Sequence, residues 1–353
     1  MLNNSQADNT AKPVLSVIVP IYNVEDFLPD CLNSLLSQGF SEGECEIICI
    51  NDGSPDNSSE VVKQFQKNSR DIILLEKENG GVSSARNLGI KNANGKYILF
   101  CDPDDYINAG YLKRLIVLIE ENNCASLNFK YEMVPQEASF SKTDDRAELV
   151  YELCRKKKLI ANAIVCTTIV ERAIYTENSL FFNEGLQHGE DHMFSYGSSR
   201  YIDYKKHIYL SNVIYNYRRR ANSAVNKSRT ADGVMRNLED LIRLAIIYRD
   251  EYAKLKLENC ENKLFVKNTK VRMHHATSGV LFLAARMRNK MNIDDLLTRL
   301  KREGLYPYPI LWHTLKKSHT EGRAIALSKL LFPIEFIYKI MIKLLRRFFP
   351  LIG

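Results

Sequence analysis

The run GKYILFCDPDDYIN, from Gly95 to Asn108, ends a short apolar stretch in three carboxylates within four residues: Asp102, Asp104 and Asp105. Acids that close repel one another, and the arrangement becomes favourable when a divalent cation neutralises them. An oxygen-only set without His or Cys beside it suits Mg2+ or Mn2+ and disfavours zinc. Taken alone, the run also suits a solvated turn, because Asp is common at turn and capping positions.

Other polar stretches add complementary groups. Asp52 in NDGSPDNS ends an apolar run and precedes a glycine turn, which supplies one acceptor carboxylate. Tyr22 in PIYN offers a flat ring, and NGGVSSARN brings two glycines for close backbone approach with Arg86 as a planar donor fork for a base edge or a phosphate. A stacking ring, an acceptor, an arginine and a cation site together describe a pocket for a nucleotide diphosphate.

The elements that must position these groups alternate. β-rich runs span Val14 to Pro20, Glu46 to Asp52, Asp71 to Glu76 and Lys96 to Asp102. Between the first two, Leu28, Leu32, Leu35 and Leu36 fall on one helical face, with Glu25 and Asp26 near its positive end. Between the second and third, Val61, Val62 and Phe65 recur at helical spacing, and Gly95 is placed to stop a helix through VSSARNLGIKNA. Strand and helix in alternation predict a parallel α/β sheet, whose ligand lies beyond the carboxyl ends of the strands, where every one of these clusters sits. A helix is expected at Tyr111 to Asn122, a β-like segment at His207 to Arg220, and helices dominate from about Thr230 onward.

Four segments in order, SVIVPIYNVEDFLPDCLNSLLSQ, EIICINDGSPDNS, NGGVSSARNLGI and GKYILFCDPDDYI, resemble the family 2 glycosyltransferases of the GT-A fold, a nucleotide-diphospho-sugar transferase fold with a Rossmann-like mixed sheet flanked by helices. GEDHMF at Gly189 to Phe194 and YNYRRRANSAVN at Tyr215 to Asn226 resemble later motifs of bacterial polysaccharide and lipopolysaccharide members. The resemblance implies that Pro20, Tyr22 and Asp52 hold the base, usually uracil, and that Arg86 helps bind the nucleotide. It implies Asp102 on ribose or metal, Asp104 as the principal ligand of a Mn2+ or Mg2+ bridging the diphosphate, and Asp105 as a structural acid. Pro103 departs from the Ser or Ala often found there. Asp191 becomes the base of an inverting single displacement, with Glu190 in support, while Arg218, Arg220 and Ser223 fall near the diphosphate or a closing loop. From the residues alone, Glu190 and Asp191 serve equally well as the cap of a helix, Arg218 and its neighbours as a solvated basic turn, and His188 and His192 as hydrogen-bonded neighbours.

The bulk composition fits this reading. The chain has 353 residues, 45% hydrophobic and 26% charged, with a net charge of +7. No basic block interleaved with aromatics occurs in the first two hundred residues, which argues against nucleic acid as a partner. Eight cysteines form no CxxC pair and read as reduced core thiols of a cytoplasmic protein. The amino terminus lacks an apolar signal core, and no apolar stretch reaches the roughly 20 residues of a spanning helix.

From Ile334 to Phe349 the polar residues fall within about 120° of a helical wheel and the rest of the surface is apolar. From Arg323 onward there are six basic residues and one acidic, so this stretch carries five of the seven net charges. The pattern predicts a helix lying in an anionic membrane surface, with docking on its own core or on a second subunit of a homo-oligomer as the alternative. The expected organisation is a disordered polar stretch at 1–12, a GT-A catalytic domain at 13–227, a helical extension at 228–322 and the basic amphipathic segment at 323–353.

The activity implied is transfer from a nucleotide sugar, a UDP-sugar first, to a glycan or lipid-linked acceptor in surface polysaccharide synthesis, on the inner face of the cell membrane. A nucleotidyltransferase would be expected to carry a Gly-rich basic loop after the first strand, where PIYNVEDF has neither Gly nor Lys. A non-catalytic nucleotide-sugar-binding scaffold would be expected to have lost an acid of the DxD or ED pair, and all are present.

Overall fold

The computed structural model describes residues 12–142, 147–154, 164–220, 231–286 and 292–305. Ser223, the polar stretch 1–11 and the basic segment 323–353 lie outside the described residues. The chain divides into two compact units, one of residues up to 185 with 190–223, the other of 186–189 with the residues from 224 on.

In the first unit, β1 (Leu15–Ile21), β2 (Cys45–Asp52), β3 (Ile72–Lys77) and β4 (Tyr97–Phe100) are parallel and lie in the order β3-β2-β1-β4. The helices α1 (Leu28–Leu36), α2 (Ser58–Gln66) and α3 (Val82–Asn92) connect them. Every residue of β1 and β2 is buried, as expected for continuous apolar strands covered on both faces.

Beyond β4 the sheet becomes mixed. β5 (Tyr106–Ile107), α4 (Leu112–Glu121), β6 (Ser126–Val134), β7 (Tyr151–Leu153), β8 (Thr168–Glu171), α5 (Arg172–Thr176), α6 (Glu190–Ser198) and β9 (His207–Arg218) follow. β8 is antiparallel to β4 and β6, while β9 runs parallel to β6 and antiparallel to β5 and β7.

Two local expectations are corrected. Leu36 is 40% exposed, so the buried stripe of α1 is Leu28, Cys31, Leu32 and Leu35. Gly95 does not stop α3, which ends at Asn92 with Ala93 turning to extended backbone. Gly95 is required by crowding, since a Cβ there would stand 2.5 Å from the Ser16 nitrogen of β1. Its own N–H donates to Ser16 Oγ at 2.8 Å, and Ser16 Oγ in turn donates to buried Glu46 at 2.6 Å, which closes the sheet edge opposite the strand carboxyl ends.

The second unit contains α7 (Ala231–Leu257), α8 (Lys263–Arg286) and α9 (Ile293–Arg302). Val234, Leu238, Ile242 and Ala245 form the buried stripe of α7, and Arg299 of α9 makes a two-pronged pair with Glu239 at 2.7 and 2.9 Å. No helix among the described residues is long and apolar enough to cross a membrane.

Candidate active site

The site is built around Arg86, placed one turn into α3 because Gly81, at φ +85°, turns the chain into that helix. The Arg86 side chain is only 3% exposed and faces three acids: Nη1 to Asp191 Oδ1 at 2.5 Å, Nη2 to Asp102 Oδ1 at 3.0 Å, and Nη1 to Glu190 Oε1 at 3.5 Å. Asp102 follows the end of β4, and Glu190 and Asp191 open α6. The fork expected to meet a base edge or phosphate thus gathers carboxylates from two distant segments.

An aromatic wedge fixes the geometry. Phe182 stacks on Phe194 of α6 with centroids 3.8 Å apart, and Phe100 of β4 meets both rings edge-on at 5.3 and 5.9 Å. The Arg86 guanidinium lies over the Phe182 ring at 5.2 Å. Burial of these rings holds the first turn of α6 beside the end of β4.

The electrostatics follow from one cation among three acids. Burial alone would lower the Arg86 pKa, but Asp191 and Asp102 more than reverse this and hold it well above the usual range. Burial pushes the Asp191 carboxyl up to about 7; Arg86 opposes the shift, while Glu190 and Asp102 add to it. Burial outweighs a 2.5 Å ion pair because Arg86 divides its charge among three partners. A carboxylate that titrates near neutrality is suited to take and release a proton at physiological pH.

The second cluster surrounds the remaining acids. Asp104 Oδ2 lies 2.5 Å from Arg220 Nε, and burial raises the Asp104 pKa against that partner. Asp105 is 1% exposed and turned inward: Tyr215 Oη donates to its Oδ2 at 2.6 Å and Arg218 N to its Oδ1 at 2.8 Å. Tyr215 Oη also accepts from the Asp102 backbone at 3.2 Å, which ties the DPDD turn to β9. Arg218 pairs with Asp30 at 2.8 Å, and the guanidinium groups of Arg218 and Arg220 lie 5.1 and 5.2 Å from the Phe27 ring.

The third cluster organises the glycine turn. Asp52, 3% exposed, accepts from Lys77 Nζ at 2.6 Å, Gly80 N at 2.9 Å and Gly81 N at 2.7 Å. The carboxylate expected at the base therefore also shapes the loop that leads into α3. Tyr22, just past β1, is 51% exposed, whereas Pro20 is buried within β1.

Sequence reasoning missed Lys77, Tyr215, Phe182, Asp30 and Phe27. Tyr215 lay within the quoted YNYRRR segment, but nothing in its spacing marks which tyrosine turns inward.

No group of three or more His, Cys, Asp or Glu is arranged to hold a metal ion among the described residues. The chemistry of the donor set still fits a hard cation. Mg2+ binds through one or two carboxylates and completes its shell from phosphate and water, and Asp104 already draws a positive group, Arg220, to its side.

Residues 16–177, which include the Asp52, Arg86 and DPDD elements of this edge, match the family model described as glycosyl transferase family 2. Over this segment, 162 of the 353 residues, the chain is similar to glycosyl transferase family 2. The chain is 33% identical over 219 residues to "Uncharacterized glycosyltransferase EpsJ" of Bacillus subtilis, an alignment covering 60% of this chain and 62% of EpsJ. It is 32% identical over 208 residues to the poly(ribitol-phosphate) beta-N-acetylglucosaminyltransferase TarS of Staphylococcus aureus, covering 57% of this chain and 35% of TarS. The chain thus spans less than two thirds of the length of these curated relatives. The crystal structure of S. aureus TarS 1–349 in complex with UDP-GlcNAc superposes with a TM-score of 0.55 at 21% identity, covering 90% of this chain and 91% of that one. The chain therefore shares the α/β fold of TarS, a mixed sheet flanked by helices.

Proposed function

We propose that this protein is an inverting glycosyltransferase that moves a sugar from a nucleotide diphosphate sugar to a hydroxyl of a glycan or lipid-linked glycan in cell-surface polysaccharide synthesis. The observation that carries the reading is the convergence of Asp102, Glu190 and Asp191 on Arg86. It joins the strand-end acids to the proposed base, a combination a helix cap alone does not need. The similarity to EpsJ, named a glycosyltransferase, and to TarS, named a poly(ribitol-phosphate) beta-N-acetylglucosaminyltransferase, supports sugar transfer to a polymeric acceptor, and the TarS complex makes UDP-GlcNAc the first donor to test.

In this reading Asp191 accepts the proton of the acceptor hydroxyl as that oxygen attacks the anomeric carbon and the diphosphate departs from the opposite face. Glu190 and Arg86 hold Asp191 in place. Pro20, Tyr22 and Asp52 line the base site, and Arg218 serves the diphosphate, a role that the YNYRRRANSAVN motif extends to Ser223 by sequence alone. Asp102 and Asp104 would hold Mn2+ or Mg2+, which when bound neutralises charge developing on the leaving diphosphate. The basic, amphipathic sequence of 323–353 supports a peripheral position on an anionic membrane surface, where a lipid-linked acceptor lies. A second subunit remains the other partner for that segment.

A screen of nucleotide sugars for release of UDP, with Mn2+ and with a chelator, tests the reading. Metal-dependent release from a UDP-sugar is expected, with inverted anomeric configuration in the product by NMR. Release from no nucleotide sugar under any condition would overturn it.

A further inference from the structure

The chain immediately before α6 is gripped by α7. Asp240, whose side chain is 4% exposed, accepts from two consecutive backbone amides with Oδ2: Gln187 N at 3.3 Å and His188 N at 3.1 Å. Its other oxygen faces Arg243 Nη1 at 3.4 Å. One helical turn onward, Leu244 presses on Gly189, where a Cβ would stand 2.8 Å from Leu244 Cδ1 and where φ is +82°. Leu186 is buried at 3%. Residues 186–189 cluster with the second unit, and the next residue in the chain is Glu190.

Two successive amides on one buried carboxylate fix the direction of the backbone as well as its position. A charged acceptor makes each of these bonds stronger than a neutral one would. Gly189 is then needed twice over, for its left-handed backbone and for the room beside Leu244.

We propose that Asp240 is a positioning residue for the Glu190–Asp191 pair: it pins residues 187–189 so that the first turn of α6 presents its acids toward Arg86. Its kinetic consequence rests on Asp191 being the base. The latch itself does not, and the experiment separates the two.

Hydrogen exchange by mass spectrometry on the full chain reads the latch directly. In Asp240→Ala, amides of residues 187–194 should exchange about tenfold faster, the size expected when a hydrogen bond to a charged group is lost, while β1 to β4 keep their protection. Asp240→Asn, which keeps an acceptor oxygen and the side-chain shape, should fall between the two and serves if the alanine variant does not fold. In hydrolysis of UDP-GlcNAc, or of whichever donor the screen identifies, kcat should drop about tenfold in the alanine variant while UDP affinity by calorimetry stays within about twofold. Unchanged exchange at 187–194 in both variants overturns the proposal, as does loosening spread equally over the strands, or a loss of UDP affinity matching the loss of kcat. If no donor is hydrolysed by the wild type, the base assignment fails and the exchange result still decides the latch.

Discussion

Arg86 and Asp191 stand 105 residues apart in the chain and 2.5 Å apart in space, and the pair joins the glycine-rich loop to the ED helix. Replacing Arg86 removes the shared counter-ion of three acids. Arg86→Ala should destabilise the fold by about 3 kcal/mol or more, the usual cost of leaving buried partners unpaired. Arg86→Lys keeps the charge but loses the planar fork, and should retain most stability while turnover falls. Denaturant unfolding of both variants beside donor hydrolysis checks the split; equal stability in all three proteins would mean that the acids do not depend on Arg86.

Asp191 gives two pH dependences. As a base that titrates at about 7, it must be ionised to act, so kcat/KM should fall about tenfold per pH unit below that point and level off above it. For stability the sign is opposite. The folded carboxyl holds its proton more tightly than the unfolded one, whose pKa is about 3.9, so its contribution is intact at low pH and is lost as pH rises toward 7. Asp191→Asn escapes that loss, and its Tm relative to wild type should be higher at about pH 8 than at about pH 5. A Tm difference independent of pH would mean that the Asp191 pKa is ordinary.

Asp104 is predicted to carry the cation. Calorimetric titration of UDP with and without Mn2+ should show a metal-dependent gain in affinity for the wild type and little of it for Asp104→Asn. The fold should survive, because the Asp104 side chain lies at the strand edge and is partly exposed. The same gain in the mutant would remove Asp104 from the cation site.

Gly95→Ala tests the packing argument. Its Cβ would meet backbone on β1, at 2.5 Å from Ser16 N and 2.7 Å from Leu15 C, which a side-chain rotation cannot relieve. A loss of at least about 1–3 kcal/mol is expected from urea unfolding, as for other over-packed sites. A substitution without effect would restore Gly95 to the role of a simple loop residue.

The sequence made the first half of the fold readable because its strands are continuous apolar runs bounded by glycine and acid-rich turns, with helical periodicity between them. Strand ends moved by only one or two residues, as from Val14–Pro20 to Leu15–Ile21. The mixed half was less legible, since β6 and β9 pair in parallel across 81 residues and nothing local encodes that register. Site residues announced themselves where chemistry demanded unusual local composition, as at Asp102, Asp104 and Asp105. Lys77, Phe182 and Asp240 act through contacts made only by the tertiary fold, and no spacing rule marks them. Arg86 was legible as a donor but not as the centre of the site, because its partners at 190 and 191 lie on a distant helix.

The most direct test of the account is Asp191→Asn. With the sugar nucleotide identified by UDP release, the variant should bind UDP and Mn2+ with wild-type affinity and transfer or hydrolyse sugar about a hundredfold more slowly or worse, as for loss of a general base. Turnover within about threefold of wild type, with binding unchanged, would contradict the account and leave Asp191 as the cap of α6.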